Sequence, residues 1–422
     1  MRRTASLTAA ALVAVLALAA CGSDDESTAT AALSAADGVK TGPGVTDSTI
    51  TLGVLTDLSG VFKDFGNTAN AGHQIWLDEV NAAGGICGRQ VKLDIRDHGY
   101  KADTAKLIFP EQEAKVAAFL DLLGSPVVAA LRQDLKDAQS TAVVGSFSSI
   151  LLDNPYLLLP STSYDIDMIN GLAYLLKQKI INAGDTVGHV YLEGELGLNG
   201  LAGSQYFAKQ HGIKLKPVKV LPTDTDMTAV VTNLRGVKVD ALALSTSPTQ
   251  TTSIATAAKA LGLKVPMIGN FPSFVPQLLA TPAADALSKM YLVGSIAPFS
   301  STVPKARAVS AAYEAGGYEF VPNLAVQLGY EMGELMAGVL ENACAAKDLT
   351  RAGIQAALTR STKVDTQGLS PKLDYSKPGF PPARESYVAQ VDATQKGGMR
   401  QLDKLSASPD AKSYVAPHQA GH

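Results

Sequence analysis

The sequence is poor in cysteine, tryptophan and charged residues, and these scarcities exclude several classes of protein. Only three cysteines and one tryptophan occur in 422 residues, and Asp, Glu, Lys and Arg together make up 18% of the chain. No CxxC or HExxH pattern occurs, so the spacings typical of zinc sites are missing and we expect no metal or other cofactor. The formal net charge is −3 without a basic cluster, which argues against nucleic-acid binding.

The common catalytic motifs are also missing. The chain contains no GxSxG elbow, no phosphate-binding P-loop and no GxGxxG after its first predicted strand. The serine run at 146–149 has no evident His or Asp partner, and His189 lies within a strand-like apolar run, where a buried structural role is expected. We therefore predict that the protein is not an enzyme.

The amino terminus has the pattern of an export signal. Arg2 and Arg3 precede an apolar run from Ala9 to Ala20, which is too short to span a membrane. The run ends in LAAC, which resembles a bacterial lipobox, so we predict a signal peptide over 1–20 and lipidation at Cys21. The alternative is an ordinary secretory signal that happens to contain a cysteine. Residues 21–45 are small and polar, as in a flexible tether.

The two remaining cysteines, Cys87 and Cys344, are expected in an oxidising exported compartment. Two cysteines left over in such a compartment favour a pair over free thiols. We predict a Cys87–Cys344 disulfide, with two free thiols as the alternative.

The rest of the chain alternates between strand and helix patterns. A strand from Thr49, a helix over 66–83 ended by Gly84 and Gly85, and a strand over 90–97 form a βαβ unit. In that last strand Val91, Leu93 and Ile95 are predicted to face inward. Further helices and strands continue to residue 391. The length and the pattern predict two α/β lobes with doubly wound parallel sheets.

Several motifs resemble those of the leucine/isoleucine/valine-binding type of periplasmic solute-binding protein. They are LGVLTDLSG and GGICGR near the amino terminus, VGHVYLEGELGLNG over 187–200, and DTDMTAVVTNLRGVKVDALAL over 224–244. The resemblance covers residues 49–391. It implies a type I binding-protein fold with three crossings near Leu159, Ile296 and Leu373, which form a three-stranded hinge.

The resemblance also implies the domain boundaries and the partners. We expect an N-terminal lobe of 46–160 plus 297–372, a C-terminal lobe of 161–296 plus 373–405, and a loose tail over 406–422. Members of this family trap a small molecule between their lobes and deliver it to an ABC permease. The permease and its ATPases are expected on separate chains, with this chain a monomer outside the cytoplasm, held at the membrane by its lipid anchor.

The ligand contacts of the amino-acid binders fall at definite positions of the N-terminal lobe. The serine expected in the loop after the third strand falls near Val128, with Ser125 displaced from it. In the loop after the fourth strand Ser149 matches a threonine, and Phe147 replaces an alanine. An aromatic residue before the first long helix is retained as Phe65. Ser148 and Ser149, with Ser125, are expected to bind a carboxylate or carbonyl.

The C-terminal lobe departs from the amino-acid binders. A tyrosine of the family corresponds to Thr246 or Ser247, and the acidic residue that neutralises the ligand's ammonium falls at Phe271. A buried ammonium without a counter-charge is unfavourable by several kcal/mol. The phenylalanines, including Phe274, therefore predict an apolar wall and a hydrophobic or aromatic organic acid as ligand.

Two alternatives stay open. A branched-chain amino acid or amide would need another acidic partner, for which Asp57, Glu193 and Glu195 are the candidates. The same fold also serves ligand sensors that signal to a membrane kinase or chemoreceptor. Two residues of a late segment, Asn323 and Gln327, are further candidates to reach the cleft.

Overall fold

The computed structural model describes residues 33–34, 37–360 and 363–420. The predicted signal peptide, Cys21 and the first part of the predicted tether lie outside these residues. Within them, no helix is both long and apolar enough to cross a membrane.

The strands follow the predicted α/β alternation, with additional short strands near both ends of the chain. They are β1 Leu33–Ser34, β2 Lys40–Thr41, β3 Thr49–Thr56, β4 Gln90–Asp97, β5 Ala118–Leu123, β6 Ala142–Gly145, β7 Leu157–Leu158, β8 Thr186–Leu192, β9 Lys214–Val220, β10 Ala241–Ser245, β11 Met267–Asn270, β12 Tyr291–Gly294, β13 Asp348–Leu349, β14 Lys363–Val364, β15 Leu373–Asp374, β16 Tyr387–Val391 and β17 Met399–Gln401.

The helices lie between these strands and cover both faces of the sheets. They are α1 Lys63–Ala82, α2 Ala102–Glu113, α3 Ser125–Asp137, α4 Tyr164–Lys177, α5 Glu195–His211, α6 Thr228–Gly236, α7 Pro248–Ala260, α8 Ala284–Leu287, α9 Pro304–Ala315, α10 Ala325–Ala345, α11 Arg351–Leu358 and α12 Pro409–Ser413.

The sheet of the N-terminal lobe is parallel, with strand order β4-β3-β5-β6-β7. The central strand β5 is buried along its whole length, whereas β4 forms an edge. Ile95 near the end of β4 is 41% exposed, so its predicted inward orientation is wrong. An edge strand is covered by other elements along only part of its length. An apolar residue of the alternating pattern therefore stays exposed where no element covers it.

The sheet of the C-terminal lobe has the order β17-β16-β12-β11-β10-β8-β9. The strands from β12 to β9 are parallel, and β16 and β17 add antiparallel pairs at one edge. Both lobes therefore have the predicted doubly wound core. In each lobe the carboxyl ends of the parallel strands lead into the loops that carry candidate ligand contacts.

Helices α1 and α10 pack at very short range because glycines lie at their contact. A side chain on Gly72 would collide with the Val326 carbonyl, and one on Gly329 with the Ala69 carbonyl. Trp76, which is 1% exposed, occupies the space left by a third glycine at this contact, Gly333 of α10. The close packing makes α1, α10 and the sheet below them one rigid body.

A disulfide joins the ends of the same two helices. Cys87 lies in the turn after α1 and Cys344 in the last turn of α10, with their Cα atoms 6.1 Å apart and a sequence separation of 257. The predicted pairing is confirmed. Gly84 and Gly85 have positive φ and end α1 as expected, with the Gly85 N–H bonded to the Val80 carbonyl.

Three segments cross between the lobes and are hydrogen-bonded to one another, as a three-stranded hinge requires. The Thr162 N–H donates to Ser295 Oγ at 3.0 Å, and the Ala297 N–H donates to the Leu369 carbonyl at 2.7 Å. The Tyr375 hydroxyl donates to the Leu159 carbonyl at 2.7 Å. Because a hinge works through few residues, these bonds define where the lobes rotate.

Two segments that we expected to be loose are packed. The flexible tether does not extend to residue 45, because Val39 and Val45 are buried and β2 pairs with β13. The tail is also ordered between 406 and 420: the Arg384 guanidinium donates to the Ala411 and Tyr414 carbonyls at 2.7 and 2.8 Å. Polar composition predicted mobility at both places, and tertiary hydrogen bonds override it.

Candidate functional site

A cleft of about 1210 Å³ lies between the two lobes. Its N-terminal wall consists of residues 59–64 and 99–101, which follow β3 and β4. Its C-terminal wall consists of residues from 222–228, 248–260 and 275–281. We call this space the outer cleft. It lies where open α/β sheets bind ligands, beyond the carboxyl ends of their strands.

The first wall is shaped by two aspartates, of which Asp57 is buried and Asp97 is exposed. Asp57 accepts hydrogen bonds from the N–H groups of Ser59, Gly60 and Phe62 at 3.2, 2.6 and 2.9 Å. Asp97 connects the two loops by accepting from the Leu58 and Gly99 N–H groups. Asp57 is thus engaged with backbone donors at the start of α1, which makes it a poor counter-ion for a ligand's ammonium.

Behind the outer cleft lies a buried group of hydroxyls, which we call the hydroxyl cluster: Ser125, Ser146 and Tyr164. Ser146 Oγ donates to Ser125 Oγ at 2.9 Å, and Ser125 is hydrogen-bonded to the Tyr164 hydroxyl. Burial raises the pKa of Tyr164 to about 12, so all three groups are neutral. They come from both lobes, because Tyr164 opens α4 and the serines follow β5 and β6.

An aromatic ring adjoins the hydroxyl cluster. Phe147, one of the predicted ligand contacts, packs against Tyr164 with the ring centroids 5.5 Å apart. The Tyr164 N–H donates to the Phe147 carbonyl at 2.8 Å, which fixes this pair. Neutral hydroxyl donors beside an aromatic ring form an environment that suits a carboxylate attached to an apolar group.

Ser148 and Ser149 connect the lobes. Ser149 Oγ donates to Asp165 Oδ2 at 3.0 Å and accepts from Asn199 Nδ2 at 2.7 Å, and Tyr414 also donates to Asp165, at 3.2 Å. We call Ser149, Asp165, Asn199 and Tyr414 the interlobe network. The carboxylate contact predicted at Ser149 is not supported by this position, because its hydroxyl is saturated by protein groups.

The other predicted contacts lie in the interiors of the lobes. Val128 is fully buried on the core side of α3, and Phe65 is 7% exposed in the first turn of α1. Thr246 pairs with the Thr251 hydroxyl at 2.8 Å. Phe271 packs against Gly294 in the core of the C-terminal lobe. Of the predicted set, therefore, Ser125 belongs to the hydroxyl cluster and Phe147 adjoins it.

The candidate acidic partners differ in their surroundings. Glu193 is 49% exposed and forms an ion pair with Lys219 at 2.7 Å. Glu195, at the start of α5, accepts a hydrogen bond from Ser148 of the opposite lobe at 3.4 Å. Glu195 is consequently the acid that comes closest to the role of an ammonium partner.

Asn323 and Gln327 serve the N-terminal lobe. Asn323 accepts from Thr68 Oγ1 at 3.0 Å and donates to the Asp64 carbonyl, which joins α10 to α1. Gln327 donates to Ser310 Oγ at 2.7 Å. Both side chains are buried, so neither reaches the cleft as the sequence suggested.

A family model of periplasmic binding proteins matches residues 49–398. The chain belongs to the periplasmic binding protein family. No curated protein matches it significantly. Its similarity to solved binding proteins, however, extends over nearly the whole chain.

This periplasmic binding protein is similar to a fatty acid ABC transporter substrate-binding protein from Thermomonospora curvata. The two are 37% identical over 91% of this chain and 99% of that one, with a TM-score of 0.89. A branched-chain amino acid ABC transporter structure from Thermus thermophilus with bound valine is 18% identical, covers 88% of this chain and 98% of its own, and has a TM-score of 0.76.

A third structure is a solute-binding protein from R. palustris in complex with 4-hydroxybenzoate. It is 18% identical, covers 86% of this chain and 98% of its own, and has a TM-score of 0.73. At such identities the second and third structures show the fold alone. The family consists of transporter substrate-binding proteins, which are not enzymes.

Three buried, hydrogen-bonded side chains of this binding protein, Ser245, Asn270 and His189, resemble a catalytic triad in composition. Ser245 Oγ donates to Asn270 Oδ1 at 2.6 Å and contacts His189 Nε2 at 3.0 Å. Burial lowers the pKa of His189 to about 3, so the ring is neutral. Because the serine proton is directed to Asn270, Nε2 carries the histidine proton and donates to Ser245, which is the reverse of a general base.

Asn270 extends these hydrogen bonds towards the cleft, since its Nδ2 donates to the Tyr164 carbonyl at 3.2 Å. These hydrogen-bonded side chains therefore position the first turn of α4, and with it Tyr164 of the hydroxyl cluster. Among the described residues, no group of three or more His, Cys, Asp or Glu is arranged to hold a metal ion.

Sequence reasoning missed three residues of the binding protein's site: Tyr100, Ser146 and Tyr164. Ser146 directly follows β6, and Tyr100 follows β4 within the loop that enters α2. Their places after strand ends were the available signal. Tyr164 follows the first crossing, and only the packing of the lobes brings it beside Ser125.

Proposed function

We propose that this protein is the extracytoplasmic substrate-binding component of an ABC importer for a hydrophobic carboxylic acid, with fatty acids as the first class to test. The observation that carries the proposal is the hydroxyl cluster next to Phe147. Its neutral donors suit a carboxylate, and its aromatic neighbour suits an apolar chain.

Similarity supports the same class of ligand. The Thermomonospora curvata protein named for fatty acid transport is 37% identical over nearly its whole length. By the family resemblance, Phe271 stands at the position of the acidic ammonium partner of amino-acid binders, and it is an apolar side chain buried in the core of the C-terminal lobe. A free amino acid would lose its counter-charge at this position, which is unfavourable by several kcal/mol.

A branched-chain amino acid is the second candidate, and one contact favours it. Glu195 lies at the lobe boundary, where it accepts from Ser148 at 3.4 Å. A rotation of its side chain would offer a carboxylate to an ammonium group. Binding of leucine that is lost on Glu195→Gln substitution would support this candidate.

Binding would proceed by closure of the lobes about the three crossing segments. Ligand contacts from both lobes exist only in the closed form, and only such differential contacts shift the population towards it. The permease would then distinguish the closed from the open form. We assign residues 46–160 and 297–372 to the N-terminal lobe, and 161–296 and 373–405 to the C-terminal lobe.

Anchoring belongs to the same proposal. We propose that Cys21 is lipidated after removal of residues 1–20 and holds a monomeric protein at the outer face of the cell membrane. Incorporation of labelled fatty acid into the exported native chain, and its loss from Cys21→Ala, would test this. An unlabelled native chain would contradict it.

The first experiment is a binding measurement on the soluble chain that begins after Cys21. We expect octanoate or palmitate to raise the melting temperature and leucine to leave it unchanged. A ligand at 100 times its Kd stabilises the folded state by about 2.7 kcal/mol, enough for a shift of several degrees.

The matched variants locate the site. Ser146→Ala removes a donor of the hydroxyl cluster, and we expect it to weaken acid binding about tenfold. Ser288→Ala alters an exposed serine outside the cleft and should leave the Kd unchanged. A rise in melting temperature with leucine alone would contradict the proposal. Equal Kd values for Ser146→Ala and Ser288→Ala would contradict it as well.

A further inference from the structure

Tyr100 occupies the boundary between the outer cleft and the hydroxyl cluster. It lines the outer cleft, and it is close enough to Tyr164 and Asp57 for both to raise its pKa, after burial as the largest cause. The residue is half-buried. One part of the side chain thus faces the open space while the phenol is directed inward.

The ring is held between two neighbours. Its centroid lies 4.6 Å from that of Phe62, and a Cβ built on Gly124 would lie 2.8 Å from its edge. Gly124 directly precedes Ser125 of the hydroxyl cluster. The ring therefore lies against the backbone that presents this serine, and a side chain at residue 124 would displace it.

The backbone of Tyr100 is unusual for a residue with a bulky side chain. Its φ is +58°, in the left-handed region, where a non-glycine residue is disfavoured by about 1 to 2 kcal/mol. Such a conformation persists only where surrounding contacts hold it, and residues of this kind concentrate at ligand sites.

His98 provides one of these contacts. The Tyr100 N–H donates to His98 Nδ1 at 2.9 Å, and His98 Nε2 donates to the Leu123 carbonyl at 2.8 Å. His98 is 1% exposed and must be neutral to accept at Nδ1. It connects the turn that carries Tyr100 to the end of β5, immediately before Gly124.

We propose that Tyr100 is a specificity-determining residue that limits the length of the bound acid, because its ring separates the hydroxyl cluster from the outer cleft. This inference rests on the proposed function. A carboxylate at Ser125 and Ser146 places its chain against the Tyr100 ring. Chains that fit beside the ring are accepted, and longer ones require it to move from a position held by Phe62, Gly124 and His98.

The outer cleft offers room for a longer chain. Apolar groups line it beyond the ring, including Val275, Leu278 and Ala257. Removal of the Tyr100 ring would join this apolar surface to the hydroxyl cluster. Each methylene that reaches it would add binding free energy.

The test compares Kd values for butanoate, octanoate, laurate and palmitate in the native protein, Tyr100→Ala and Tyr100→Phe. We expect Tyr100→Ala to favour palmitate over octanoate by at least about tenfold relative to the native ratio. Tyr100→Phe keeps the ring and should retain the native profile. Tyr100→Leu, which retains much of the apolar volume, replaces the alanine variant if that one does not fold.

A matched control is Tyr318→Ala. Tyr318 is half-buried and stacked on Tyr313 with centroids 4.8 Å apart, and it does not line the outer cleft. Its removal should leave the length profile unchanged.

The outcomes separate the inference from the proposed function. If the native protein binds none of these acids, the proposed function fails, and the inference with it. If the native protein binds them and Tyr100→Ala keeps the native length profile, the inference alone is overturned. If the length profile changes as much in Tyr100→Phe as in Tyr100→Ala, selectivity belongs to the hydroxyl and not to the ring. That result would also overturn the inference.

Discussion

The two regions where the lobes face each other differ in how their polar groups are satisfied. In the interlobe network the hydrogen-bonding groups of Ser149, Asp165 and Asn199 bond to one another across the lobe boundary, fully buried or nearly so. The outer cleft is open, and many of its side chains are threonines and serines at the solvent boundary. Buried polar groups with fixed partners do not exchange them easily, whereas solvated ones do.

This difference indicates which part of the interface moves. We infer that the interlobe network and the three crossing segments form a pivot, and we expect the distance between the lobes to change most at the outer cleft. Ligand selectivity is expected between these two regions, at the hydroxyl cluster and Tyr100. The following predictions test this division.

The largest effect on stability is expected at the disulfide, which lies in neither region. Cys344→Ser should lower the free energy of unfolding by about 3 to 5 kcal/mol, because a long loop of the unfolded chain is no longer closed. Denaturant unfolding of the oxidised native protein and the variant measures this. Acid affinity should be unchanged, and a parallel loss of affinity would show that the disulfide end of the lobe shapes the site.

The second effect distinguishes the two interlobe regions directly. Asp165→Ala removes the acceptor shared by Ser149, Asn199 and Tyr414 and should destabilise by about 2 to 3 kcal/mol, because buried donors lose their partners. Asp226→Ala makes the same change at the outer cleft, where the side chain is exposed, and should stay within about 0.5 kcal/mol. Equal effects in thermal unfolding would contradict the division.

The smallest effect is a pH dependence of the pivot. Glu331, hydrogen-bonded to Ser370 of the third crossing segment, has its pKa raised from 4.5 to about 8 by burial. Since the folded state holds this proton more tightly, its stabilising contribution is complete below pH 4.5 and is lost as the pH rises through 8. Glu331→Gln should therefore make the decline in unfolding free energy within this window shallower, by at most about 1.4 kcal/mol per pH unit.

The control for this pH dependence is a second buried acid. Burial also raises the pKa of Asp121 in β5 to about 8. The decline in unfolding free energy with rising pH that Asp121 causes should therefore persist in Glu331→Gln. A variant with the same pH profile as the native protein would exclude Glu331 as a titrating group of the pivot.

Much of the fold was accessible from the sequence because it depends on local patterns. The βαβ unit with its glycine stop and the strand over 90–97 were predicted with the observed bounds or close to them. Hydrophobic periodicity and glycine conformation act over a few residues, so they can be recognised in the sequence without knowledge of tertiary contacts. The Cys87–Cys344 pair followed from the number of cysteines and the expected compartment.

The site was less accessible because it depends on which residues the two lobes bring together. Position-by-position transfer placed ligand contacts at Val128 and Ser149, which the structure assigns to a core and to the interlobe network. A shift of a few residues in a loop changes which side chain faces the cleft, and loop lengths differ among distant relatives. Periodicity carries no information about such a shift.

The sequence by itself determined the α/β class, the two lobes, the disulfide and the family, because these depend on local pattern and motif. Only the tertiary structure decided that Ser125, Ser146 and Tyr164 form one cluster, that Tyr100 stands before it, and that residues 37–45 and 406–420 are packed. These facts depend on contacts between residues far apart in the chain, whose free energies arise only when both lobes are in place.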